Sequence, residues 1–444
     1  MPSCGDVRNL IRFIVAVASA GIFVFASPAL ADTAPARGYV RLSSDNPLQD
    51  KIAYLLTVLT ADPDARAAMA AHPELAKIGR RLELALDEVH RRCSVAPTCT
   101  LLKARLSDQE IKVAADALAG IARQGNALSK PIKDHLRPSG YYEQYSHLSD
   151  PDFIRAAWSA VANGINGIYD IYLAGQPSQD IEQPILNGPL TEVFMGHANA
   201  VIDFCRDSSQ PRTFFSIWAE LGLSLLRINQ RDDAVNWEPL DKRENARALV
   251  RGKTIDWTKY RYTAILSPSW GLNPGEVKLT AAYRYILRMA VQRWRDGLAP
   301  FIVLTGGQIH PDRTPYAPAI EGKRVLMSDF GVPEDAILVD PYARHSTTDL
   351  RNATRLLFQI GAPLEKAYLV TTIESAADHL AGNGTSIWVA PPGTDLRMVP
   401  FNERCRLELG YECFLASKRA SPFDVEMLPN IDSLTINLRD PLDP

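Results

Sequence analysis

The chain is 444 residues long, 46% hydrophobic and 22% charged, which is enough for one large or two ordinary domains with buried cores and far too long for a small disulfide scaffold. Lys and Arg number 48 against 51 Asp and Glu, a formal net charge of -3, so no bulk electrostatics draw it to a nucleic acid or other polyanion. With 26 Gly and 31 Pro scattered among apolar residues, fibrous and largely disordered classes are excluded as well.

Arg8 and Arg12 precede an apolar run of 14 residues, Phe13 to Ala26, and Ser27-Pro28-Ala29-Leu30-Ala31 supplies small residues at the -3 and -1 positions of a processing site. That run falls short of the roughly 20 residues that span a hydrocarbon core as a helix. Residues 1–31 are therefore predicted to be a signal peptide cleaved after Ala31, leaving a periplasmic or secreted protein with no transmembrane segment. Beyond Ala31 stand Cys93, Cys99, Cys205, Cys405 and Cys413. Cys93 with Cys99 and Cys405 with Cys413 each enclose a short loop, and two disulfides suit an oxidising compartment, Cys205 being left over. The alternative is five reduced thiols. Zinc is disfavoured, since neither pair has Cys-x-x-Cys spacing.

From about Asp45 to Asn229 apolar residues recur at helical spacing, which predicts an all-α region over residues 32–235. Ser107-x-x-Glu110 reads as a capping box opening a helix with Ile111, Ala114, Ala115, Leu118 and Ile121 on one face. Another helix opens at Asp150 with Pro151 in its first turn and carries Phe153, Ala157, Trp158, Val161, Ile165, Ile168 and Tyr169 inward. Pro189 to Phe204 and Pro211 to Ile228 predict two more. His197 and the Asp232-Asp233 pair are the polar residues here with chemical potential, and each reads first as structural, the one a helix histidine with a hydrogen-bond partner and the other a solvated loop after a helix end.

After about Asn236 short apolar runs alternate with helical stretches, the pattern of an α/β domain with a mainly parallel sheet. Strands are predicted at Tyr262 to Ser267, Phe301 to Thr305, Ala336 to Asp340, Ala367 to Thr371 and Ser386 to Ala390, with helices at Val277 to Asp296, Ala317 to Phe330 and Thr347 to Ile360. Centres at Ile265, Val303, Leu338 and Leu369 lie 38, 35 and 31 residues apart, room for right-handed crossovers and a Rossmann-like three-layer α/β/α sandwich over residues 236–444.

Ligands of open α/β sheets bind beyond the carboxyl ends of the strands, and those ends are polar here. Ser269 follows the first strand, Thr305-Gly306-Gly307-Gln308 and His310 the second, and Arg344-His345-Ser346-Thr347-Thr348 the third, running into a helix that carries Asn352. A helix start offers unpaired N–H groups to an anion, and three hydroxyls with two cationic or switchable donors add to it; Ser346-x-x-Asp349 is also an ordinary cap. Gly306-Gly307 permits a sharp turn and close approach to a ligand. Glu321 on the next helix is a candidate general base or sugar-hydroxyl partner, and His310, Glu321 and His345 form a weak metal trio. Dinucleotide, P-loop and Gly-x-Ser-x-Gly motifs are absent.

The run Ala299 to Pro311, then Glu321, then Ala343-Arg344-His345-Ser346-Thr347-Thr348-Asp349-Leu350-Arg351-Asn352-Ala353, resembles the YdcF/SanA/ElyC-like family of bacterial envelope-associated proteins. The resemblance spans residues 236–444 and leaves the helical region unexplained. It implies a Rossmann-like domain that binds a nucleotide-like or other anionic small molecule, with cell-envelope roles. Ser267-Pro268-Ser269-Trp270-Gly271 is less glycine-rich than the family's first loop, Ala319-Ile320-Glu321 replaces a carboxylate-alanine pair, and Asp349 stands where an amide is common. An acid at a first helical turn repels an anion unless it takes a hydroxyl or a metal instead. The leading expectation is binding of a phosphate-bearing or nucleotide-like molecule by Gly306, Gly307, Arg344, Ser346, Thr347 and Thr348, oriented by His310, Glu321, His345 and Asn352. The alternatives are an envelope phospho- or glyco-transferase or hydrolase using Glu321 or His345, and a scaffold whose helical half docks on an envelope protein.

Overall fold

The computed structural model of the protein describes residues 35–92, 101–124, 126–176, 191–207, 212–270, 277–309, 311, 313–382 and 400–444. The signal-peptide segment, the Cys93 and Cys99 pair, His310 and the strand predicted at 386–390 lie outside the described residues.

The first half is helical: α1 (Pro47–Ile52), α2 (Tyr54–Ala61), α3 (Pro63–Ala71), α4 (Pro73–Arg92), α5 (Asp108–Gln124), α6 (Asp150–Tyr172), α7 (Glu192–Arg206) and α8 (Ser216–Ile228). Local chemistry sets several starts. Proline opens α1, α3 and α4, where its missing N–H is no loss. Asn46 and Asp62 accept the backbone N–H groups of Gln49 and Ala65. The box at Ser107 and Glu110 forms in both directions, at 2.9 and 3.3 Å. The seven inward residues predicted for α6 are all buried, and Trp158 packs on Trp218 with ring centroids 5.8 Å apart. Both indoles keep a partner: Trp158 Nε1 donates to the Ile111 carbonyl and Trp218 Nε1 to Asn166 Oδ1, each at 3.0 Å.

After α9 (Ala246–Gly252) the chain alternates: β1 (Ile265–Pro268), α10 (Ala281–Arg295), β2 (Ile302–Thr305), α11 (Pro318–Ser328), β3 (Ile337–Asp340), α12 (Ser346–Gln359), β4 (Tyr368–Thr371), α13 (Glu374–Leu380), α14 (Phe401–Leu409), β5 (Phe414–Ser421) and β6 (Asp424–Pro429). The fold is mixed α/β, with a six-stranded, mostly parallel sheet in the order β3-β2-β1-β4-β6-β5. Strands β1 to β4 pair in parallel, and β6 and β5 extend the sheet antiparallel. Every residue of β1 to β4 is buried, which is why they appear in sequence as continuous rather than alternating apolar runs. Their side chains divide between two cores. Leu266, Val303, Leu338 and Val370 meet Leu350, Ala353 and Leu357 of α12, whereas Ile265, Leu304, Val339 and Leu369 meet Ile286 and Ala290 of α10 and Ile320 of α11.

Cys405 and Cys413 form a disulfide with Cα atoms 5.7 Å apart, tying α14 to the residue just before β5 across a tight loop. Cys205 is a free thiol whose burial pushes its pKa up to about 12. Residues 33–444 make one compact unit: after β6 the chain returns to the helices, placing Ile436 and Leu442 in their core. Among the described residues no helix is long and apolar enough to cross a membrane.

Candidate functional site at the strand ends

Parallel register builds the site. Pro268 lies beside Thr305 and Thr305 beside Asp340, while Leu266 lies beside Val370, which brings Thr372 level with Pro268. Side chains alternate across a sheet, so Asp340, Thr305, Pro268 and Thr372 form one row on the α12 face. With strands about 4.8 Å apart the row is roughly 14 Å long. All four are buried, Thr305 and Thr372 completely. Asp349, in the first turn of α12, faces the Thr305 hydroxyl. On the opposite face of β1, Ser267 is equally buried, and its carbonyl accepts from Tyr283 Oη at 3.2 Å. The hydroxyls of Ser267 and Thr372 have no hydrogen-bond partner among the described residues.

The electrostatics are acidic. Burial pushes the Asp349 carboxyl up to about 7, reinforced by Asp340 and Asp443 and opposed by Thr305. Burial and the Asp443 charge likewise push Asp340 up to about 6, against the Asn352 amide, Lys51 and the Ala343 N–H. Asp340 Oδ2 accepts from Ala343 N and from Asn352 Nδ2, both at 2.9 Å. Asn352 Nδ2 also donates to Asp443 Oδ1 at 3.0 Å, and its Oδ1 accepts from Arg351 Nε at 2.8 Å. Arg351, with no solvent exposure, ion-pairs with Asp443 and donates to its carbonyl at 2.8 Å. From the helical region Lys51 Nζ reaches Glu238 Oε1 at 2.7 Å and lies 3.2 Å from the centre of the Tyr342 ring. Burial lowers the Lys51 pKa, with Glu238, Asp340 and Asp443 acting against it. The helical region and the last residues of the chain thus meet at this end of the sheet.

The residues singled out from sequence divide into three groups. Gly306, Gly307 and Gln308 serve the loop itself. Gly306 has φ +136°, and a Cβ there would sit 2.4 Å from Ser269 Oγ; one on Gly307 would lie 3.1 to 3.2 Å from the carbonyl oxygens of Pro341, Tyr342 and Ala343. Their N–H groups donate to Asp340 O at 3.1 Å and Ala343 O at 2.8 Å, so neither faces outward to an anion. Gln308 donates to Thr314 O at 3.0 Å and accepts from Asn236 at 3.2 Å.

The second group holds the start of α12. His345 is its N-cap, and Thr348 Oγ1 accepts from the N–H groups of Arg344 and His345 at 2.9 and 3.0 Å. The cap is therefore His345 with Thr348, one residue before the predicted Ser346-x-x-Asp349, which frees Asp349 to face the sheet. Thr347 bonds Glu408, and Ser346 Oγ accepts from Arg404 Nη1 at 3.3 Å, so these hydroxyls face α14. Asn352 is saturated by Asp340, Asp443 and Arg351. Arg344 is buried, while Ser269, His345 and Ser346 are half-buried.

The third group stands apart: Glu321 is buried on α11 and ion-paired with Arg324 of the same helix. Among the described residues no three His, Cys, Asp or Glu side chains are arranged to hold a metal ion. Ser267, Asp340 and Thr372 stand in sequence among the polar strand ends without an assigned role, Arg404 carries no sequence signal for this site, and Asp349 reads from sequence as a departure rather than a participant. A signal existed for Asp340 and Thr372, each a polar residue at or just after the end of an apolar run. None existed for Lys51, Glu238 and Asp443, which are brought there from distant parts of the chain.

No family model matches this chain, and no solved structure matches it. An uncharacterized protein of Streptomyces coelicolor is 34% identical over 88 residues, 19% of this chain. The chain spans 39% of that protein's length, and the likeness assigns no activity.

Proposed function

We propose that residues 236–444 form a Rossmann-like three-layer α/β/α domain akin to the YdcF/SanA/ElyC-like family, exported from the cytoplasm, which binds a nucleotide-like or phosphate-bearing small molecule in cell-envelope metabolism. The observation that carries this reading is where the polar groups lie. The sheet grows outward from β1 through β2 to β3 and then crosses back to place β4 on the other side of β1. Such a reversal opens a crevice at the carboxyl ends of the two central strands. Buried hydroxyls at Ser267 and Thr372, without a partner among the described residues, stand at those two ends, and leaving such groups unpaired in the folded protein carries a cost that a ligand would offset. Arg344, His345, Ser346 and Arg404 surround the start of α12 and suit the anionic end of that ligand.

Isothermal titration with inorganic phosphate, nucleoside monophosphates and a short-chain polyprenyl phosphate tests the reading. Binding of one probe, weakened about tenfold or more in Arg344→Ala, is the expected result for loss of a charge-assisted contact. Failure of every probe, or unchanged affinity in Arg344→Ala, overturns it.

A second reading, an envelope phospho- or glyco-transferase or hydrolase, is favoured by the Asp349 carboxyl, pushed up to about 7 by burial, a value suited to proton transfer near neutral pH. His345 adjoins it at the same helix start, whereas Glu321 is paired with Arg324. Turnover of a phosphorylated or glycosylated substrate that disappears in Asp349→Asn supports that reading, and turnover that survives both Asp349→Asn and His345→Ala refutes it.

A further inference from the structure

The strand-end row is poorly suited to the phosphate itself. Asp340 and Asp349 line it, with Asp443 behind them. The N–H groups of Gly306, Gly307, Arg344 and His345, which an anion would use, are bonded to protein oxygens. What the row offers is carboxyl oxygens, the fully buried Thr372 hydroxyl with no partner among the described residues, the Thr305 hydroxyl facing Asp349, and Pro268 between the two threonines. Thr305 and Thr372 stand two strand spacings apart, roughly 10 Å between backbones. That separation compares with the width of a sugar ring, which would lie over Pro268 once the row opens, its C–H face on the proline and its hydroxyl edge toward the polar groups.

Resting on the ligand reading above, we infer that this row receives the hydroxyl-bearing end of the ligand, a vicinal diol of a ribose or other sugar ring, bonded by Asp349 and Thr372. The phosphate then lies outside, toward His345, Ser346 and Arg404. A carboxyl oxygen accepts from one sugar hydroxyl, and the threonine hydroxyl, which can donate or accept, pairs with its neighbour. A diol discriminates itself from a deoxy analogue most strongly where the site's own polar groups would be left unpaired without it. Because the row is closed to solvent, binding requires transient opening, and association slower than a preformed open cleft goes with that.

The test compares adenosine and uridine 5′-monophosphates with their 2′,3′-dideoxy analogues and with inorganic phosphate, by titration against the full chain. The dideoxy compounds are expected to bind about tenfold more weakly or worse, the loss typical of unpaired buried polar groups. Thr372→Val and Asp349→Asn should each reduce that ratio toward one while inorganic phosphate still binds, more tightly in Asp349→Asn, which loses a negative charge at the helix start. Thr372→Val is nearly isosteric and removes a hydroxyl without a partner among the described residues, so its unfolding midpoint should hold or rise while diol discrimination falls; a purely structural threonine would not separate the two. If Asp349→Asn fails to fold, Thr372→Val alone decides. Equal binding of the ribo and dideoxy forms overturns this inference and leaves the phosphate reading standing. Discrimination intact in both variants overturns the assignment of these residues, and no binding by any probe overturns both readings.

Discussion

Asp349 makes the folded state pH-sensitive in a definite direction. Its carboxyl is pushed from an ordinary 3.8 up to about 7, so between about pH 4 and pH 7 the unfolded chain has released a proton that the folded chain retains. Unfolding free energy therefore falls as pH rises through that window, and the loss stays constant above it. At ~1.36 kcal/mol per pH unit the full span is worth about 4 kcal/mol. Asparagine keeps the shape and carries no titrating proton, so Asp349→Asn should be the more stable protein at pH 8, by about 2 to 4 kcal/mol once lost carboxyl contacts are set against the gain. Its profile keeps the slopes due to the other raised carboxyls, Asp340 at about 6 and Glu143 at about 7, so the difference between the two curves isolates Asp349. Urea denaturation of both proteins from pH 4 to 8 gives the two curves. Parallel curves, or wild-type stability rising toward neutrality relative to the variant, refute a protonated buried carboxyl at this position.

Two further substitutions test the supports of the site. Gly306→Ala forces a side chain into φ +136° and within 2.4 Å of Ser269 Oγ; a loss of about 2 to 4 kcal/mol is expected by denaturant unfolding. Adding Ser269→Gly should recover only the part due to the clash, and a loss below about 0.5 kcal/mol would contradict the close approach. Asp443→Ala strands the unexposed Arg351 guanidinium without its carboxylate and should cost about 3 to 5 kcal/mol, most of it recovered on adding Arg351→Met. Additive losses in the double variant would show that the pair is not coupled.

Much of the architecture is visible in local pattern. The four parallel strands and the helices between them fall within a few residues of where apolar runs and caps predict them, because a strand buried on both faces must be apolar throughout and a helix must present one apolar stripe. The antiparallel pair is not visible. β5, Phe-Leu-Ala-Ser-Lys-Arg-Ala-Ser, lies at the sheet edge with most of its residues partly or fully exposed, and an edge strand carries charges that hide it among loops. Gly306 and Gly307 are legible as a sharp turn, but their amides already serve the 340–343 backbone, and no local signal distinguishes a glycine that admits a ligand from one that admits its own chain.

The amino-acid sequence alone determined the four parallel strands with the helices between them, the apolar faces these bury and the short spacing that lets Cys405 pair with Cys413, all consequences of pattern over a few residues. Tertiary structure alone decided that Asp340, Thr305, Pro268 and Thr372 form one row, that Asp349 turns onto it, and that Lys51 and Asp443 arrive from distant segments. Strand register and the return of the last residues to the helical core depend on how whole elements pack. Because the charges brought together this way lie in a common dry interior, only packing could set the acidity of the site.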